Sequence, residues 1–410
     1  MRYYIQNSMI QFSPPKIYQE IIDEVVDTLK SGWITTGPKT KQLEKELAAF
    51  CHAKKALCLN SATAGMELVL RWFNIGEGDE VILPAYTYCA TANIVLHCGA
   101  TPIMVDVDEN FNIDVEEVKK KINSKTKAII PVDIGGFPCN YDDLNKIIRS
   151  KEIVDIFKPN SKEQEQLGRI LLMADSAHSF GGKYQNKTLG TDADTVIFSF
   201  HAVKNLTTAE GGAVILNLPP PFDNEEIYQV LNIKSLHGQT KDALSKTKGN
   251  WRYDVIEAGY KSNMTDILAS LGLVELKRYA SETIPRRKEI FKQYQEAFEG
   301  EAWAETPQFK SSNKEGSYHL YMLRIKDISE RQRDAIIEEI YKNGVAVNVH
   351  FQPLPLLSLY KNLGYKIEDY PKAFDNYSRE ITLPVYYDLT DKDVKIVIQT
   401  VKNAVRKILS

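Results

Sequence analysis

From about residue 55 to 217, short apolar runs alternate with segments patterned as helices. The runs include Val81-Ile-Leu, Pro102-Ile-Met-Val, Lys127-Ala-Ile-Ile-Pro and Ile170-Leu-Leu-Met. Neighbouring parallel strands need a long crossover between them, usually a helix. The alternation therefore predicts a mainly parallel sheet with helices on both faces. Residues 195–200 and 212–217 have too little chain between them for a crossover helix, so they are expected to pair antiparallel. Leu216-Asn-Leu-Pro-Pro-Pro-Phe-Asp marks the boundary to the next helix.

The flanking segments complete an α/β plan. An N-terminal arm precedes a helix near residues 16–29. From 266 to about 299 the apolar residues Ile267, Leu268, Leu271, Leu273, Val274 and Leu276 follow a helical period. This stretch is expected to link a large three-layer domain, residues 1–265, to a smaller C-terminal α/β domain, residues 266–410. The small domain would hold strands near 318–325 and 345–349 and helices at 330–343 and 391–409. A chain of 410 residues is long enough for two such units. Residues 240–251 are polar and rich in Lys and Gly, and read either as an active-site cover or as a plain surface loop.

Several classes are disfavoured. The net charge of −3 gives no sign of nucleic-acid or anionic-membrane binding. No apolar stretch approaches the ~20 residues that span a bilayer, and the first residues lack the apolar core of a signal peptide. The five cysteines are odd in number with no Cys-x-x-Cys, which favours neither a disulfide framework nor a zinc site. No His-x-x-x-His or His-Glu-x-x-His occurs, so no metal site is expected. A reducing cytoplasm is the expected location.

In open α/β sheets, ligands bind at the carboxyl ends of strands. Four such ends carry chemistry. Phe198-Ser-Phe-His-Ala-Val-Lys204, followed by Gly211-Gly212, suits a lysine that forms a Schiff base with a cofactor. Taken alone, Lys204 also reads as an exposed loop lysine. Ile170-Leu-Leu-Met-Ala-Asp175 ends in a carboxylate that stays ionised inside a protein only beside a cation, and a protonated pyridine nitrogen is one. A helix N-cap is the plainer role for Asp175. Ser61-Ala-Thr63-Ala64-Gly65 opens a helix whose free amides would bind an anion, although Ser and Thr cap many helices that bind nothing. Tyr88, expected in the first turn of the next helix, could stack on a flat ring or pack in the core.

Together these segments resemble the DegT-type family of pyridoxal-phosphate-dependent sugar aminotransferases, within the aspartate aminotransferase fold (fold type I). The resemblance covers nearly the whole chain. It includes Ser31-Gly-Trp-Ile-Thr-Thr-Gly-Pro38, Gly99-Ala-Thr-Pro-Ile-Met-Val-Asp106, Thr208-Ala-Glu-Gly-Gly212, Gly259-Tyr-Lys-Ser-Asn-Met-Thr-Asp266, Val347-Asn-Val-His350 and Leu383-Pro-Val-Tyr386. It implies that Lys204 carries pyridoxal 5′-phosphate and that Asp175 faces the ring nitrogen. It places His178 near the phenolic oxygen, Tyr88 on the ring, and Thr63, Ala64 and Ser199 around the phosphate. Lys261 and Asn263 stand where the family has an Asn and an Arg. One of them is expected to reach the phosphate of a second subunit in a homodimer with shared active sites. His350 and Thr36 are expected to touch the substrate. His319 does not stand out.

The implied reaction moves an amino group, by family likeness from glutamate, to a nucleotide-linked keto-sugar. A UDP-linked 4-keto-6-deoxyhexose of a surface-polysaccharide pathway is the example the resemblance favours. Lys204 would shuttle the proton as a neutral amine. Other fold-type-I activities, such as a desulfurase or an aldolase, and a binding protein without turnover remain as alternatives. Two stretches depart from the family pattern. Asp133-Ile-Gly-Gly-Phe137 receives no role, and residues 151–168 read as an insertion.

Overall fold

The computed structural model describes residues 9–241 and 252–410. Most of the expected cover loop, residues 242–251, lies outside the described residues. The strands are β1 (Lys55–Leu59), β2 (Glu80–Pro84), β3 (Thr101–Val105), β4 (Thr126–Ile129), β5 (Leu171–Asp175), β6 (Lys183–Tyr184) and β7 (Lys187–Thr188). They continue with β8 (Thr195–Ser199), β9 (Gly212–Leu216), β10 (Ala304–Glu305), β11 (Lys314–Glu315), β12 (Tyr321–Ile325) and β13 (Glu380–Leu383).

Seven strands form the central sheet, in the order β1-β9-β8-β5-β4-β2-β3. The pairs β2–β3, β2–β4, β4–β5 and β5–β8 are parallel. Only β9 runs against its neighbours β1 and β8, as the short connection from β8 requires. Both faces of the sheet are buried, which explains why its strands read as unbroken apolar runs. Leu57, Leu171, Met173 and Ile197 pack into one core, with Met66 and Leu70 of the helix Ala62–Trp72. Cys58, Leu172, Val196 and Phe198 alternate with them into a second core. There they meet Leu43 of Pro38–Phe50, Leu144 of Tyr141–Ile148 and Leu273 of Asp266–Arg278. Three layers result, with the carboxyl ends of β5 and β8 side by side.

A third core has its buried members between residues 290 and 405. Sheet β10-β12-β13 packs there against helices Ile284–Phe298, Glu330–Lys342 and Asp391–Leu409. The expected strand at 345–349 does not form. Val345 and Asn348 make isolated bridges to Ile10 and Thr382, and the amide of His350 donates to the Glu380 side chain at 3.1 Å. A ladder cannot extend where a side chain takes the next amide. The stretch 266–299 is not one helix. It passes through a π-turn, Tyr279–Thr283, just before Pro285, whose missing N–H interrupts the α-helical ladder. Residues 151–168 form two short helices, Lys151–Ile156 and Lys162–Leu167. Buried Gln164 ties the second to Phe73 O at 2.9 Å. Among the described residues no helix is long and apolar enough to cross a membrane.

Ile197 lies on β8, fully buried. Ile197→Ala should lower the unfolding free energy by about 2–5 kcal/mol. Urea denaturation followed by circular dichroism checks this, and a loss below about 1 kcal/mol would contradict the packing described.

Candidate active site

A cavity of about 340 Å³ opens at the carboxyl ends of the central strands. Its wall includes Lys204, Asp175, His178, Tyr88, Thr63, Ser199 and His350. The chain thus brings together most of the residues singled out from sequence. They come from five places: the ends of β5 and β8, the turns after β1 and β2, and the 345–351 segment.

The anion end depends on a close approach. Gly212 pairs with Leu59 on one side and Ser199 on the other. A Cβ on Gly212 would lie 2.4 Å from the Ala62 amide nitrogen. Only glycine lets the helix start settle onto the sheet beside Ser199. Ser61 is the N-cap: its hydroxyl accepts from the Ala64 amide at 3.1 Å, and its carbonyl accepts from Gly65 at 3.2 Å. Ala64 is therefore occupied by the cap and is absent from the cavity wall. The amides of Ala62 and Thr63 have no partner among the described residues and stand at the wall, where the helix dipole favours an anion.

Asp175 ends β5 and is 5% exposed. Thr91 donates to its Oδ2 at 2.8 Å and the Ala177 amide to its Oδ1 at 3.2 Å. Burial pushes its pKa up, while these two bonds and the charge of Lys204 pull it down. Lys204 is half-buried, with its amine enclosed by the cavity. Desolvation lowers its pKa to about 8, against the opposing pull of Asp175. Its Nζ makes no hydrogen bond among the described residues, so the amine is free to react.

His178 is buried and kept neutral, first by burial and then by the charge of Lys204. The Gly135 amide donates to its Nδ1 at 3.3 Å, which leaves the ring proton on Nε2. Asp133-Ile-Gly-Gly-Phe137, without a role from sequence, is thus what orients this histidine. Gly136, at φ +93°, lies so close to Ser317 that a Cβ would be 2.2 Å from its hydroxyl oxygen.

Tyr88 differs from its expected place. It precedes the helix Ala90–His97 and caps it only through its carbonyl, which accepts from Thr91 at 3.2 Å. Its ring is 60% exposed and lies 5.7 Å from the Phe351 ring at the cavity wall. Freed from the helix, the ring forms part of the mouth. Besides Ala64, the expected residues Thr36, Lys261 and Asn263 stand off the wall of this single chain. Thr36 is buried, its hydroxyl donating to Met264 O at 2.5 Å and accepting from Asn263 Nδ2 at 2.6 Å. Lys261 is exposed.

Sequence reasoning missed Thr91, Asn205 and His319. Thr91 holds Asp175, and Asn205 accepts from His319 Nδ1 at 2.8 Å and donates to Ser317 O at 2.8 Å. Asn205 adjoins Lys204, which was a usable signal. His319 had none, because it arrives from the C-terminal region to lie 4.7 Å from the His178 ring. The site's groups fit pyridoxal 5′-phosphate: an amine for the aldehyde, a buried carboxylate for the ring nitrogen, and open amides for the phosphate. Among the described residues no group of three or more His, Cys, Asp or Glu could hold a metal ion.

The model of the DegT/DnrJ/EryC1/StrS aminotransferase family matches residues 15–157 and 162–402, skipping only part of the expected insertion. The chain belongs to this family. A Streptococcus pneumoniae protein assigned as a sugar aminotransferase, solved in a PMP form, is 48% identical. The match covers 97% of this chain and 100% of that one, with a TM-score of 0.94. The PLP form of the same protein superposes with a TM-score of 0.93. SpsC of Bacillus subtilis, a spore coat polysaccharide biosynthesis protein, is 36% identical over 98% of both chains. PseC of Helicobacter pylori, an aminotransferase of pseudoaminic acid biosynthesis, is 28% identical. It covers 97% of this chain and 100% of its own, with a TM-score of 0.85. The mainly parallel sheet is accordingly that of aminotransferase fold type I, and this family member is an aminotransferase.

Lys204 in the cofactor-free protein should titrate near 8. Its acylation rate, followed by peptide mapping, should rise as pH passes through that value, whereas an ordinary lysine waits until about 10.4. Asp175→Asn removes the charge that holds the lysine pKa up, so the midpoint should move lower still. A midpoint near 10 in the parent chain would contradict the desolvated site.

Proposed function

We propose that this aminotransferase uses pyridoxal 5′-phosphate on Lys204 to move an amino group from glutamate to a nucleotide-linked keto-sugar. The observation that carries the reading is the free, desolvated Lys204 amine in one cavity with buried Asp175 and an anion-binding helix start. SpsC and PseC, named for polysaccharide and pseudoaminic acid synthesis, support the sugar half.

The cofactor supplies an aldehyde that takes up the amino group and a ring that accepts electrons. The protein supplies placement and proton transfer. Asp175, its oxygens fixed by Thr91 and the Ala177 amide, would keep a proton on the ring nitrogen. Ser199 and the Ala62 and Thr63 amides would hold the phosphate. His178, with its proton on Nε2, would donate to the phenolic oxygen, and Tyr88 would cover the ring. Lys204 Nζ, neutral above about 8, takes the proton from the donor's α-carbon and returns it on the other side of the transfer. A desulfurase would need a cysteine nucleophile, and none of the cysteines lines the cavity.

The working unit in this reading is a homodimer in which Lys261 or Asn263 completes the partner's phosphate site. A phosphate dianion draws more donors than one helix start provides. Val255 and Ile256, 54% and 59% exposed close to this segment, offer apolar surface for the contact. All five cysteines are unpaired, which fits a cytoplasmic enzyme.

Borohydride reduction of the loaded protein should place the pyridoxyl group on Lys204, and a label on another lysine would sink the assignment. Glutamate should convert the bound chromophore, and a panel of nucleotide-linked keto-sugars should restore it. Glutamate without effect on the spectrum would leave a binding protein. Asp175→Asn should cost about 3–5 kcal/mol, mostly in the glutamate half-reaction rather than in cofactor affinity. Near-normal half-reaction rates would remove the ring-nitrogen role. Lys204→Ala chains mixed with chains doubly substituted at Lys261 and Asn263 should regain activity through one intact site per heterodimer. A fully active monomer in sedimentation would exclude shared sites.

A further inference from the structure

His350 lines the cavity, and among the described residues only one of its ring nitrogens has a hydrogen-bond partner. Its Nδ1 lies 3.0 Å from Thr382 Oγ1. Phe12, also on the cavity wall, stacks on the ring with centroids 5.4 Å apart. Nε2 has no hydrogen-bond partner among the described residues, so it is the nitrogen left for a ligand. Thr382 in turn hydrogen-bonds Glu380 Oε1. The other carboxyl oxygen, Oε2, accepts from the His350 amide at 3.1 Å. Glu380 and Thr382 are both fully buried on β13.

We propose that Glu380 and Thr382 are positioning residues that decide which nitrogen of His350 carries the proton, and so whether His350 offers a donor or an acceptor to the sugar substrate. The argument rests on counting protons. Thr382 has a single hydroxyl proton and stands between two partners. With Glu380 ionised, Thr382 donates to the carboxylate and accepts from His350 Nδ1–H. Nε2 then presents a lone pair. With Glu380 protonated on Oε1, the oxygen that faces Thr382, the carboxyl becomes a donor to the hydroxyl while Oε2 goes on accepting the His350 amide. Thr382 then accepts from Glu380 and donates to Nδ1. The ring proton moves to Nε2, which becomes a donor.

The surroundings favour the second state at neutral pH. Burial pushes Glu380 up to about 8, against the hydrogen bonds from Thr382 and the His350 amide and the charges of Arg333 on the helix Glu330–Lys342 and Arg324 on β12. Tyr86, from the turn after β2, faces the same carboxyl and donates to His350 O at 2.5 Å. His350 itself stays neutral, held down to about 3 by burial and the Lys204 charge, so the choice of tautomer is its only freedom. An Nε2–H donor suits a carbonyl or hydroxyl oxygen of the sugar. The role given to the sugar rests on the proposed function; the proton relay does not.

Glu380→Gln tests the relay because the amide copies the protonated carboxyl, with NH₂ donating to Thr382 and oxygen accepting the His350 amide. In the parent enzyme, KM for a UDP-linked 4-keto-6-deoxyhexose should rise about tenfold from pH 7 to 9.5, the worth of one hydrogen bond. In Glu380→Gln that rise should vanish. Lys204 titrates in the same range, so the difference between the two proteins is what isolates Glu380. The pH dependence of the glutamate half-reaction should be the same in both. A second measurement is independent of the sugar. In ¹⁵N-histidine spectra of the holoenzyme, assigned with His350→Gln, the His350 proton should move from Nε2 to Nδ1 as pH rises, and stay on Nε2 in Glu380→Gln. An equal KM rise in both proteins, or a tautomer that never changes, overturns the proposal. A parent enzyme inert toward every keto-sugar but with a moving tautomer overturns the functional reading and supports the relay.

Discussion

The site depends on a carboxylate and an amine buried in the same cavity. Burial alone would neutralise both: it raises Asp175 and lowers Lys204. Their mutual attraction works against that, and so do the two hydrogen bonds on Asp175. The outcome is a lysine that titrates near 8 beside a carboxylate that can hold a cation. In water a lysine keeps its proton until about 10.4. Everything else in the chain can be read as support for that enclosure.

The support comes first from the sheet. Parallel β5 and β8 end side by side, so Asp175 and Ser199 emerge on one edge of the sheet. The single reversed strand, β9, returns the chain from the lysine turn to the core and delivers Gly212 beneath the helix start. Thus one short antiparallel connection places both the amine and the phosphate cradle.

The wall is finished from the C-terminal region. Arg287 donates to Tyr318 O and His319 O, both at 2.8 Å, and fixes the segment that covers His178. Ser317 donates to His178 O at 2.5 Å, and the Ser317 amide to Gly136 O at 2.9 Å. The Gly135-Gly136 turn is the counterpart that lets these strands of chain approach. A larger residue at 136 would separate His178 from the segment that shields it.

The sequence by itself determined the layered α/β architecture, because apolar runs of strand length between helical periods have few ways to bury themselves. It also determined Lys204, Asp175 and the Ser61–Gly65 turn as candidates, since strand ends are local features with recognisable neighbours. The reversed strand was legible for the same reason. Partners far apart in the chain were not legible. His319 meets His178, Thr91 meets Asp175, and Glu380 and Thr382 meet His350 only after the chain has folded. Tyr88 stands just before the helix Ala90–His97 rather than in its first turn, a boundary that local pattern does not resolve. The failed strand at 345–349 has a long-range origin: its amide was taken by a side chain from β13. Local pattern records which segments are buried and how they repeat. The tertiary structure alone decides which polar groups share a cavity, and desolvation there is what sets their protonation.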